Sequence, residues 1–91
     1  MVHGGAGNIP DSRVISKQNG MRKAVLQGVS ALLRSQKAVN AVTYAVASME
    51  DDEAFNAGFG SVLNEDGEVE CDAAVMNGEN LDFGGVGAVG K

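Results

Sequence analysis

The chain has 91 residues, 44% hydrophobic and 21% charged, a globular composition that allows one domain at most and excludes a multidomain machine. Its apolar runs fall far short of the roughly 20 residues that cross a bilayer, and no basic-then-apolar signal opens it, so a soluble, untargeted, cytoplasmic chain is expected. The net charge of −5 combines +5 over residues 1–49 with −10 over residues 50–91, and the basic side chains are too scattered, with only Tyr44 nearby as an aromatic, to suggest nucleic acid.

The predicted elements run from helix to strand. Asp11 and Ser12 follow Pro10 and are candidate caps for a first helix to about Arg34, in which Val14, Met21, Val25, Val29 and Leu32 form an apolar stripe. Gly20 and Gly28 each weaken that helix by about 1 kcal/mol relative to Ala, which points to close packing neighbours. A second helix is expected over 36–50, capped by Ser35, with Ala38, Val39, Val42, Ala45, Val46 and Met49 on one face. It runs into four acids, Glu50, Asp51, Asp52 and Glu53, at the end where the macrodipole favours cations.

Beyond Gly58 the period becomes two, with turn signals at Asp66 and Gly67 and at Asn77 and Gly78. Strands are expected at 59–64, 68–76 and 82–89, giving an α+β chain of two helices and a three-stranded antiparallel meander. In the middle strand Val69, Cys71, Ala73 and Val75 alternate with Glu70, Asp72, Ala74 and Met76.

The single cysteine, Cys71, excludes an internal disulfide, and with the single histidine, His3, leaves no Cys/His zinc cluster. Residues 85–90 spell G-x-G-x-x-G, but a dinucleotide fingerprint opens a helix and needs an acid about 20 residues on, so small residues in a packed strand are the plainer reading. Residues 3–7, H-G-G-A-G, have the form of a glycine loop that turns peptide N–H groups toward an anion or oxyanion. No serine lies in a G-x-S-x-G elbow, and the acids of residues 50–53 fall out of register for an EF-hand.

Taken together, residues 3–7, then F-N-A-G-F-G-S-V-L-N at 55–64, then G-E-V-E-C-D-A at 67–73 with Met76, Asn77 and Gly78, resemble the plant-type L-asparaginase/isoaspartyl peptidase family. The resemblance covers nearly the whole chain and includes the order of the helices. Threonine aspartase, a relative, is similar around residues 70–73 and 83–84. The family implies an N-terminal-nucleophile hydrolase with an αββα sandwich, a homo-oligomer of processed units. It cleaves itself before a threonine, which then attacks L-asparagine or an isoaspartyl dipeptide. The α-amine of that threonine, with a pKa near ~8, can serve as its general base.

The only threonine here is Thr43, within the second predicted helix, so the nucleophile is expected beyond Lys91 and residues 1–91 read as a single partial domain, the leading part of the family's α-segment. The resemblance implies that Asn56 supports the active site, that His3, Gly4 and Gly5 border it, and that no organic cofactor is used. It also implies a sodium ion held by backbone carbonyls of Met49, Glu50, Asp52, Phe55, Ala57 and Phe59.

Two departures stand out. Ser35, Gln36 and Lys37 replace the family's Gly-Gly turn, with Asn40 in place of an Asp, and only Met1 and Val2 precede His3. The leading reading is an enzyme fragment without activity of its own, molten or partner-dependent when alone. Its rival is a non-catalytic short isoform that pairs with a full-length family member, and a third is a nucleotide-binding module resting on residues 85–90.

Overall fold

The computed structural model describes residues 1–55, 65–68 and 70–89. Among these are helices α1 (Asp11–Ser35) and α2 (Ala38–Glu50), followed by strands β1 (Cys71–Met76) and β2 (Phe83–Val89) in an antiparallel pair. The chain is therefore α+β. The strand expected at 59–64 lies outside the described residues, which hold the other two expected strands as β1 and β2.

The helices run close to the expected bounds but are capped differently. Pro10 is the N-cap of α1 and makes no side-chain cap; its carbonyl accepts from the Arg13 N–H at 2.9 Å, which leaves Asp11 inside the first turn. An acid there still complements the positive end of the helix. Ser35 ends α1 rather than capping α2: its hydroxyl donates to the Ala31 carbonyl at 2.8 Å and accepts from the Lys37 N–H at 3.3 Å. Between the helices Gln36 adopts φ 56°, ψ 29°, with its N–H donating to the Leu32 carbonyl at 2.7 Å. This is a left-handed C-terminal cap of the kind glycine usually supplies.

The face that α1 packs against α2 is not the predicted stripe. Gly20, Ala24, Gly28 and Ala31 are its buried residues, and a β-carbon at Gly28 would stand 3.1 Å from the Ala41 carbonyl oxygen and 3.2 Å from the Ala45 methyl. The helices approach too closely for a larger side chain at Gly28 on that seam, whereas the packing reason for Gly20 is the Phe55 ring and the Asp52 carboxylate, which follow α2. Val25, Val29 and Leu32 lie beside the seam and are exposed, as are Val42 and Val46 on α2. The core among the described residues is Ala24, Ala31, Ala45 and Phe55.

In the hairpin, Ala73 pairs with Val86 and Met76 with Phe83, and a bulge interrupts the register between Cys71 and Ala73. The turn is not a two-residue one at Asn77 and Gly78. Asn77 N–H donates to the Asp82 carbonyl at 2.8 Å, the side chains of Asn77 and Asn80 accept from the N–H groups of Glu79 and Asp82, and the left-handed residue is Leu81, φ 62°. Two Asx-type turns close the loop, so Gly78 has no positive φ to supply. At Gly67 the expectation holds, with φ 77°.

Candidate functional site

The N-terminal loop, the first half of α1 and the segment after α2 meet at Phe55. This is the bulkiest side chain of the core, with 3% of its surface exposed. A β-carbon at Gly4 would stand 3.1 Å from Phe55 Cε1 and 3.1 Å from Met21 Sδ, and one at Gly20 would collide with the Asp52 carboxylate and lie 2.7 Å from Phe55 Cε2. Two glycines thus let loop and helix close onto one ring from two sides.

The loop is tied within itself. Gly5, at φ 106°, donates its N–H to His3 Nδ1 at 3.0 Å, which requires Nδ1 to be the unprotonated ring nitrogen. That N–H is used inside the turn rather than offered to a bound anion. Lys17 ties the loop to α1: its ammonium donates to the Gly4 carbonyl at 3.4 Å and stands 5.2 Å from the centroid of the Phe55 ring. His3 and Gly5 are exposed, while Gly4 is half-buried.

The acids after α2 find a local use. Asp52 Oδ1 accepts from the Ala54 N–H at 2.9 Å, and the Asp52 carbonyl accepts from the Phe55 N–H at 3.2 Å, so Asp52 organises the turn that delivers Phe55. The Met49 carbonyl accepts from the Asp52 N–H at 3.2 Å. Both carbonyls stand at or just past the negative end of α2, in the stretch of sequence that holds four acids. Backbone carbonyls are hard oxygen donors, the type that small hard cations take. Of the other carbonyls implied for sodium, those of Ala57 and Phe59 lie outside the described residues, as does Asn56.

Other sequence candidates separate from this cluster. Thr43 Oγ1 donates to the Val39 carbonyl one turn back, at 2.7 Å, as a surface helical threonine does. Gly85 and Gly87 lie within β2, so the G-x-G-x-x-G pattern opens no helix and the nucleotide reading falls. A cleft of about 780 Å³ runs between α2 and the hairpin, lined by Val42, Val46, Ala73, Val75 and Val86 among others.

Sequence reasoning missed Lys17 at the site and counted it among scattered surface cations. Its signal was its place on α1 one turn from Gly20 and Met21, legible only once the loop was known to fold back over that face.

The family model for asparaginase matches residues 1–91. The chain belongs to the asparaginase family. It is similar to an isoaspartyl peptidase/L-asparaginase of Danio rerio, 53% identical over 89 residues, and to one of Xenopus laevis, 47% identical over 89 residues. A plant-type L-asparaginase of Thermococcus kodakarensis is 49% identical over 90 residues. In each case 98% of this chain is covered, and the chain spans 29% of the relative's length. Among the described residues no helix is long and apolar enough to cross a membrane.

Proposed function

We propose that residues 1–91 are the leading part of the α-segment of an L-asparaginase/isoaspartyl peptidase, an N-terminal-nucleophile hydrolase of αββα architecture. What carries the reading is the Gly4 wedge between Phe55 and Met21, which seats the glycine loop against the residue that begins the family's F-N-A-G motif. The family match over the whole chain supports it.

In that reaction a threonine freed by self-cleavage attacks the side-chain amide of L-asparagine or the β-linked bond of an isoaspartyl dipeptide. Its hydroxyl proton passes to its own α-amine and then to the leaving amine, and water hydrolyses the aspartyl ester that remains. The part of residues 1–91 is positional. Asn56 orders water or the scissile bond near the threonine, and the loop of His3, Gly4 and Gly5 borders the same place. Carbonyls of Met49, Glu50, Asp52, Phe55, Ala57 and Phe59 hold a sodium ion, which offsets the acids of residues 50–53. The processed units form a homo-oligomer in the cytoplasm.

A chimaera carrying residues 1–91 in place of the matching segment of the Danio rerio relative tests this. It should cleave itself and release ammonia from L-asparagine, and Asn56→Ala should slow self-cleavage about 10–100-fold with little change in melting temperature. A folded chimaera that never cleaves would overturn the reading.

A further inference from the structure

We propose that Lys17 is a positioning residue for self-cleavage, its ammonium clamped between the Gly4 carbonyl and the Phe55 ring so as to fix the glycine loop at the site. The inference rests on the function proposed above. It starts from an asymmetry in how the loop is held. Phe55 and Met21 press on Gly4 by shape, and the bond from Gly5 to His3 stays within the loop. Neither ties the Gly4 peptide plane to α1.

Lys17 does. Its ammonium is 3.4 Å from the Gly4 carbonyl oxygen and 5.2 Å from the ring centroid, so one cation satisfies a peptide oxygen and an aromatic face together. Because the carbonyl of Gly4 and the N–H of Gly5 belong to one rigid peptide plane, holding that oxygen toward α1 turns the Gly5 N–H the opposite way, where His3 Nδ1 receives it at 3.0 Å. Gly5, with its φ of 106°, has the freedom to let this plane rotate when the cation is removed. Lys17 is half-buried against the ring, which shields the contact from water and salt.

Three variants in the folded chimaera separate charge from packing. Lys17→Met keeps the apolar stem on Phe55 and removes the cation. Self-cleavage should slow about 10–100-fold while the melting temperature moves by no more than about 4 °C. Lys17→Arg, whose guanidinium also stacks on an aromatic ring and donates to a carbonyl, should restore most of the rate. Lys17→Glu should be at least as slow as Lys17→Met. Hydrogen exchange gives a readout independent of chemistry: the Gly5 amide should exchange at least about tenfold faster in Lys17→Met than in the parent or in Lys17→Arg.

Parental cleavage and parental Gly5 exchange in Lys17→Met would overturn the proposal, as would equal slowing in Lys17→Met and Lys17→Arg. If the folded parent chimaera does not cleave itself, the proposed function fails, while the exchange comparison still decides whether Lys17 fixes the loop.

Discussion

Gly20 lies against the ring of Phe55 so closely that a β-carbon on it would sit 2.7 Å from Cε2 and 3.0 Å from Cζ, with the Asp52 carboxylate on its other side. Helix α1 therefore gives up helix propensity at its midpoint to admit the turn after α2. The ring cannot move aside easily, because it is 3% exposed and wedged against Gly4 as well. Gly20→Ala gains about 1 kcal/mol of propensity and loses about 1–3 kcal/mol to overpacking. The chimaera carrying it should be destabilised by about 1 kcal/mol in denaturant unfolding. A more stable Gly20→Ala protein would show that the ring yields and that the contact is loose.

Gln36 presents the opposite case, a side chain where glycine would serve better. At φ 56° a non-glycine residue pays about 1–2 kcal/mol for the left-handed conformation, and glycine returns part of that through its greater freedom when unfolded. Gln36→Gly should therefore stabilise the folded protein by about 0.5 kcal/mol, since the N–H that closes on the Leu32 carbonyl is retained. Lys37→Gly is the control: at φ −121°, ψ 123° any residue is comfortable, and glycine there should lower the denaturation midpoint. Equal effects at both positions would remove the conformational explanation.

Helix lengths, the hairpin strands and the family were legible in the sequence because periodicity, turn dipeptides and the F-N-A-G motif are local signals. The packed face of α1 was not. Apolar size predicted Val25, Val29 and Leu32, but α2 at Gly28 and Phe55 at Gly20 come close enough to demand small residues, and the buried set is Gly20, Ala24, Gly28 and Ala31. Capping was misplaced for a related reason: Asp11, Ser12 and Ser35 are good caps by type, yet Pro10 and the αL bend at Gln36 fix where the helices begin and end. At the site, Gly4 was legible as a member of a glycine loop, whereas its partners Met21, Lys17 and Phe55 lie far along the chain and depend on how three elements meet.

The proposed sodium ion gives a prediction that ordinary screening cannot mimic. The carbonyls of Met49 and Asp52 lie in the turn that carries Phe55, and the proposed ion, bound to them, orders that turn. In the chimaera, sodium should slow amide exchange over residues 49–55 more than an equal concentration of lithium or tetramethylammonium. All monovalent salts screen charge alike at one ionic strength, so equal protection in the three salts would leave a solvated acidic turn and no site.

The 91-residue chain by itself should neither cleave itself nor release ammonia from L-asparagine. Its one threonine, Thr43, lies inside α2 with its hydroxyl bonded to the Val39 carbonyl, and it has no free α-amine beside it to act as base. Among the described residues large apolar groups are left uncovered, with Leu33 75% and Phe83 80% exposed, and the side chains buried deepest are three alanines and Phe55. With apolar surface of that kind uncovered, the chain on its own should bind a hydrophobic dye and unfold without a sharp transition. Thr43→Val should leave both results unchanged. Ammonia release by the isolated chain that disappears in Thr43→Val would make Thr43 a nucleophile and sink the proposal that the reacting threonine lies beyond residue 91.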